Sequence, residues 1–416
     1  MRTVRVFAAV VALAAAGVLF ADRLHTLKKE YRTNLREGDL PAAAETARKI
    51  GSLNTAPAAV FLLGEAEDKN LPATVYDGVL EGVSRLTSAA AQQIIARKGK
   101  SARWQLKVSL ARAVAETPGE PMLKMLLAFL SDRHDPVVRQ AVESLGTRGD
   151  PKAVDALIEL LEKEEKDRGL TWEATVLALK RLTNCDTDIL DAVDWRNWWT
   201  ARGKKPVEAK KSEPDKERTK DDKLHKFRTS LPKFFGKEIL SKRVIFVLDV
   251  SGSMLEGTPP RIDRVKRELT KVVDRLPAHT LFNIIAFNDK LHIWQKRMKK
   301  ATAGAKRSAK KFVKSFSAEA QTHTDEALRA AFAEKGVDTI YLLSDGAPYK
   351  LEHGSSVSVK FIQDIIAWVA KENRFRKVKI HTFGFEEVAE EEGGEVLVQF
   401  LKTLAAQSGG KFTNIK

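Results

Sequence analysis

Cysteine is almost missing: Cys185 is the one thiol in 416 residues. A lone thiol forms no intrachain disulfide and cannot build a four-thiolate zinc site or an iron–sulfur cluster, so a disulfide-stapled secreted domain is excluded. Long apolar runs are scarce as well. One spans Val6 to Ala21 at the N-terminus, which excludes a polytopic membrane protein. No Gly-x-Gly-x-x-Gly turn follows a strand, as a dinucleotide-binding enzyme would need. The serines near residue 250 lack a Gly-x-Ser-x-Gly elbow and a histidine at a readable triad position, so no enzymatic activity is expected.

What remains is an ordinary globular composition, 43% hydrophobic and 7% aromatic, in a chain long enough for two or three domains with real cores. Lys and Arg number 71 against 55 Asp and Glu, a formal charge of +16. Arg2 and Arg5 precede the Val6–Ala21 run, and Asp22 and Arg23 follow it. A basic start and a short apolar core form the pattern of a bacterial-type export signal. The run falls short of the roughly 20 residues of a spanning helix. Residues 1–21 are therefore expected to be a signal peptide, cleaved after Ala16 or Ala21, or an uncleaved anchor in the inner membrane. Either way the bulk of the chain is expected to be exported, to the periplasm, the cell envelope or the medium.

Residues 27–200 are rich in Ala, Leu and helix-forming charged residues, and strand signals are few. Asp135-Pro136 and Arg139 open a helix whose Val138, Ala141, Val142 and Leu145 keep a helical period. Gly146 and Gly149 are expected to end it, and Asp150-Pro151 to cap and start the next. This helix–turn–helix resembles a HEAT repeat, with weaker copies at Trp104–Leu127 and Trp172–Leu182. The resemblance implies an all-α array of stacked repeats, closed by Trp195, Trp198 and Trp199, with Cys185 a small core or turn residue. Residues 203–228 then turn to Lys, Glu, Asp and Ser with two prolines; such a stretch cannot bury enough surface to fold and reads as a charged linker. Its mixed signs do not suggest a nucleic-acid arm.

From residue 242 to 416 strand and helix patterns alternate. Val244–Leu248 is a continuous apolar run, as in a strand buried on both faces. Phe282–Phe287, Leu291–Trp294, Thr339–Leu343, Val378–Phe383 and Lys411–Ile415 read as further strands. Ile262–Leu276, Ala309–Phe316, Leu328–Phe332, Phe361–Val369 and Val396–Leu404 read as helix faces between them. The alternation predicts an α/β fold with a doubly wound, mostly parallel sheet, and ligands in such a sheet bind at the carboxyl ends of the strands. Asp249 and Asp345 each end an apolar strand run. In Asp249-Val-Ser251-Gly252-Ser253 one carboxylate and two hydroxyls recur at every second residue around a tight loop, and Thr322 adds a further oxygen. An all-oxygen set with two carboxylates suits a hard cation, Mg²⁺ or Mn²⁺, or Ca²⁺.

Arg243-Val-Ile-Phe-Val-Leu-Asp249-Val-Ser-Gly-Ser-Met254 and Leu281-Phe-Asn-Ile-Ile-Ala-Phe287 resemble the first two strands of a von Willebrand factor type A domain. The resemblance covers 242–416, about two-fifths of the chain. It implies a metal-ion-dependent adhesion site formed by Asp249, Ser251, Ser253, Thr322 and Asp345, with an open position filled by an Asp or Glu carboxylate of a protein partner. In that family the hydroxyl residues tend to touch the metal and the aspartates often act through water. Glycines usually precede the threonine, whereas Ala320 and Gln321 stand here.

Three other features carry expectations. Residues 290–318 hold ten Lys and Arg and no acid. Lys306, Arg307, Lys310, Lys311 and Lys314 should lie on the solvent side of a helix, where they could hold an acidic envelope polymer or simply be solvated. The acidic stretch from Glu386 to Glu395 is expected on the same rim as the two aspartates. His323 is not expected to be a ligand, because hard cations prefer oxygen. The resulting expectation is an exported, cation-dependent protein-binding or cell-adhesion module, with the repeats as a second interaction surface. The alternatives are a metal-independent basic scaffold of the envelope, or a subunit beside an AAA-type ATPase. No nucleic-acid partner is expected.

Overall fold

The computed structural model describes residues 21–185, 189–208, 227, 230–319, 321–346, 348, 358–390 and 394–416. The export or anchor run up to residue 20, and 209–226 and 228–229 of the charged stretch, lie outside the described residues. The chain divides into two compact units, with the change near residue 213. Among the described residues no helix is long and apolar enough to cross a membrane.

The first unit is all helix: α1 (21–37), α2 (Leu40–Ser52), α3 (Ala56–Glu65), α4 (Ala73–Ser84), α5 (Ala89–Ser101), α6 (Trp104–Ala113), α7 (Glu120–Phe129), α8 (Asp135–Arg148), α9 (Val154–Glu164), α10 (Leu170–Thr183) and α11 (Ala192–Ala201). Packing runs from each helix to the next but one: α2 to α4, α4 to α6 and α6 to α8 in one layer, α3 to α5 and α5 to α7 in the other. Stacked helical hairpins bury a continuous core in this way, and the stack begins well before the readable unit at 135. Gly149 closes α8 with a left-handed φ of 72°, and the Asp150 side chain accepts from the Lys152 N–H to start the next turn. Gly146 does not end the helix as expected. It lies inside α8, where a Cβ would come 3.1 Å from that of Ala178, so its smallness serves the contact with α10. Trp195 and Trp199 are buried, with Trp198 edge-on to Trp195.

The tightest helix pair is α2 with α4. A Cβ on Gly78 would sit 2.6 Å from Ala44 Cα, and one on Gly82 2.6 Å from Ala47 O. Small residues at four-residue spacing let the two backbones touch, which larger side chains would prevent. We expect Gly78→Val to destabilise the helical unit by about 1–3 kcal/mol through overpacking, read as a lower midpoint in far-ultraviolet circular dichroism. An unchanged midpoint would show that the backbones are not in contact.

In the second unit a parallel sheet is built from β3 (Arg243–Asp249), β4 (Leu281–Phe287), β7 (Thr339–Leu343), β8 (Lys379–Phe385) and β9 (Phe412–Ile415), in the order β4-β3-β7-β8-β9. Two short antiparallel strands, β5 (Leu291–Ile293) and β6 (Lys299–Lys300), pair with β4 at the edge. The intervening helices are α12 (Arg261–Arg275), α13 (Ala303–Lys314), α14 (Thr324–Ala333), α15 (Val359–Asn373) and α16 (Gly394–Ser408). Val244–Leu248 is wholly buried, as its unbroken apolar run requires of a central strand. The chain leaves β3 for β4 on one side and leaves β7 for β8 on the other. The strand order therefore reverses between β3 and β7, and a crevice opens at their carboxyl ends.

Like the short β6, a hairpin of β1 (Lys233–Phe234) and β2 (Lys237–Glu238) was not legible in the sequence. Phe234 is fully buried, 5.4 Å from the Phe246 ring and 5.1 Å from that of Phe383. The Tyr341 hydroxyl donates to Glu238 O at 2.9 Å. The hairpin thus closes over aromatic rings of three adjacent strands.

Candidate metal centre

β3 delivers Asp249 to the reversal crevice, and the register Leu248 to Leu343 brings Ser344 and Asp345 alongside. Asp249 is fully buried. Its Oδ1 accepts from the Ser251 N–H at 2.8 Å, and its Oδ2 accepts from the Ser344 hydroxyl at 2.6 Å. Ser251 Oγ lies 3.2 Å from Ser253 Oγ, and Ser253 Oγ donates to Asp345 Oδ1 at 2.8 Å. Thr322 is reached from the loop before α14, which the His323 N–H ties to Asn288 O at 3.0 Å. A Cβ on Gly346 would come 2.8 Å from Thr322 Oγ1, so the missing side chain leaves room for the threonine beside Asp345. The structure thus brings Asp249, Ser251, Ser253 and Asp345 together at the crevice and seats Thr322 against the Ser-Asp-Gly turn.

Burial, and then the neighbouring Asp345 carboxylate, push the Asp249 carboxyl up to about 7. Burial also raises Asp345, against the pull of the Ser253 and Arg261 hydrogen bonds. Among the described residues no three His, Cys, Asp or Glu gather into a metal-binding group. Any cation here would need the hydroxyl oxygens.

Two residues of the centre were missed in the sequence. Ser344 stands next to Asp345 in the quoted Leu-Leu-Ser-Asp-Gly run, and its hydroxyl is held by the inner carboxylate. Arg261 is 2% exposed, and its Nη1 donates to Asp345 Oδ2 at 3.1 Å. Nothing in its spacing marks it, because at the start of an amphipathic helix it reads as a surface cation. His323 Nε2 and Thr324 Oγ1 are buried without a hydrogen-bond partner among the described residues. Glu387, from the acidic stretch, pairs with Arg264 at 2.9 Å and approaches Arg261 at 3.4 Å; residues 391–393 lie outside the described residues.

The basic face is smaller than expected on α13. Arg307, Lys311 and Lys314 are exposed. Lys306 instead donates to the carbonyls of Asp274 and Leu276 at 3.0 and 2.6 Å, and Lys310 pairs with Asp274 at 2.6 Å. Both lysines are spent on the C-terminus of α12, where the helix presents unpaired carbonyls and negative charge.

Residues 242–413 match the von Willebrand factor type A domain, and residues 89–178 match HEAT repeats. Human von Willebrand factor A domain-containing protein 3A is 29% identical over 182 residues, 43% of this chain and 14% of that protein. Mouse inter-alpha-trypsin inhibitor heavy chain H3 is 24% identical over 187 residues, 42% of this chain and 19% of that protein. The chain thus spans under a fifth of either relative. A solved von Willebrand factor type A structure from Catenulispora acidiphila aligns with a TM-score of 0.34 at 16% identity, covering 42% of this chain and 38% of that one. The second unit is a von Willebrand factor type A domain, and HEAT repeats precede it in the same chain.

The raised carboxyl values have a stability consequence. A carboxyl whose folded pKa exceeds its unfolded value stabilises the fold below the unfolded pKa, about 4, and that contribution is lost as pH rises through the folded one. In chelator the type A domain should therefore lose stability between about pH 4 and 7 through Asp249, with the raised Asp345 carboxyl acting in the same direction. Thermal melts in chelator across that range check the sign. A melting temperature that climbs steadily from pH 5 to 8 would contradict it.

Proposed function

We propose that this chain is an exported, non-enzymatic binding protein whose type A domain captures an acidic partner through a divalent cation. The observation that carries the reading is the gathering of three hydroxyl residues and two buried carboxylates at the strand-order reversal. The donor set fits a hard cation: every candidate atom is oxygen, and the two hydroxyls of the Asp249–Ser253 loop already face each other at 3.2 Å. Ser251, Ser253 and Thr322 would hold the ion, with Asp249 and Asp345 behind them. When bound, a Mg²⁺ or Mn²⁺ ion would supply an open coordination position for an anionic oxygen from outside.

The chain's own residues prepare that position. Ser344 and the Ser251 N–H lock both oxygens of Asp249, which fixes the loop before any ligand arrives. The hydroxyls are neutral, so they do not cancel the charge that attracts a partner's Asp or Glu. The HEAT repeats would offer a second protein-binding surface, since stacked hairpins expose long ridges. The likeness to human von Willebrand factor A domain-containing protein 3A supports the domain class and does not name a partner.

A second reading rests on a specific observation. Lys290, Lys296, Arg297, Lys299, Lys300, Arg307, Lys311 and Lys314 are all exposed, and none forms an ion pair among the described residues. A metal-indifferent envelope scaffold could hold an acidic polymer there, and would release it in salt.

The test is a pull-down with the full chain from an envelope extract of its native cells, in Mg²⁺ or Mn²⁺ against chelator. The Ser251→Ala/Ser253→Ala variant should lose the cation-dependent partner, and its Mn²⁺ affinity should fall at least about tenfold, while its melting temperature stays within a few degrees. Ser251 is buried and Ser253 half-buried, but each substitution removes one hydroxyl and no apolar packing, and an interaction worth about 1.4 kcal/mol is tenfold in affinity. A partner that survives chelator and the variant, yet leaves in salt, would transfer the function to the basic face.

A further inference from the structure

Arg261 occupies the wrong end of a helix. It is the first residue of α12, after Pro260, where the macrodipole favours acids and disfavours a cation. It is also 2% exposed, and a guanidinium is always charged, so its burial needs a compensating anion. That anion is Asp345, whose side chain is wholly buried and whose Oδ2 lies 3.1 Å from Arg261 Nη1. The same nitrogen lies 3.5 Å from Ser253 O, on the loop that carries both hydroxyls. The guanidinium carbon sits 5.8 Å from the centre of the Phe385 ring, a further support for a cation held away from water. Both oxygens of Asp345 are therefore engaged within the protein, Oδ1 by Ser253 and Oδ2 by Arg261.

We propose that Arg261 sets the charge of the cation site: it neutralises Asp345 from inside the fold, which weakens divalent-cation binding and keeps the loaded site net positive. This rests on the metal-site reading above. Asp249 and Asp345 together match the charge of one divalent ion, so without Arg261 the loaded site would be neutral. With Arg261 it carries one positive charge, in a place largely shielded from water where charge acts strongly. A carboxylate is then drawn to it, and a neutral group gains nothing. Among the described residues, Glu256 and Glu387 also face Arg261, at 3.3 and 3.4 Å. Glu256 is 60% exposed and screened by water, and Glu387 is shared with Arg264, so neither cancels the buried charge as Asp345 does.

A charge-setting arginine moves cation affinity and carboxylate affinity in opposite directions, whereas a merely structural one would move them together. Mn²⁺ alone is titrated into the full chain by water-proton relaxation, and acetate is then added as the carboxylate probe to the Mn²⁺-loaded protein. Arg261→Gln should bind Mn²⁺ about tenfold or more tightly, the scale on which one neighbouring charge moves a carboxyl's affinity for a proton. Its Mn²⁺-loaded form should bind acetate more weakly by a similar factor. Arg261→Lys, which keeps the charge, should stay nearer the wild type in both. Arg261→Met, which keeps the apolar stem, replaces the Gln variant should that one melt below the titration temperature. Weaker or unchanged Mn²⁺ binding in a folded Arg261→Gln chain would overturn the charge role and leave only a positioning one. A wild type that binds no Mn²⁺ would overturn the metal-site reading, and this inference with it.

Discussion

Two neighbouring carboxylates held away from water are the constraint around which the type A domain is organised. Burying even one ionised carboxylate is expensive unless it is hydrogen-bonded or paired, and two together repel. The fold answers with local devices: a backbone N–H and Ser344 for Asp249, Ser253 and Arg261 for Asp345. The raised Asp249 carboxyl shows that these devices leave part of the strain in place. A site that stays electrostatically unsatisfied on its own has a reason to take up positive charge.

The sheet places that strain where it is useful. β3 is buried on both faces and flanked by parallel partners, so its carboxyl end is held rigidly, while the loops that leave it reach the surface. Precision comes from the strand and accessibility from the loop, the usual division between scaffold and functional loop. The edge strand β6, Lys299–Lys300, serves a different end. A short strand made of lysines discourages pairing with another sheet, so part of the basic character of 290–318 is protection of an edge.

Most of this architecture was legible because the signals are periodic. The buried run Val244–Leu248 and the alternation of strand and helix identify the doubly wound sheet, and Asp249, Ser251, Ser253 and Asp345 follow the ends of two of its strands, with Thr322 in the loop before α14. Illegible features depend on pairings between residues far apart in the chain. The hairpin at 233–238 is stabilised by Phe234 against Phe246 and Phe383, which no local pattern announces. Arg261 looks like a surface residue until Asp345 appears beside it, 84 residues later. Gly146 resembles a helix end because glycine is a common terminator, whereas contact with Ala178 explains it. The α2–α4 contact went unread for a similar reason, since Gly78 and Gly82 look unfavourable in a helix until the facing Ala44 and Ala47 are seen.

In the proposed site the oxygens of Ser251, Ser253 and Thr322, with Asp249 and Asp345 behind them, hold a divalent cation. Its most direct test is anomalous diffraction from crystals of the protein soaked in Mn²⁺. One strong manganese peak is expected within bonding distance of the Ser251 and Ser253 hydroxyls. A map with no peak there, or with its strongest peak among the rim glutamates, would contradict it.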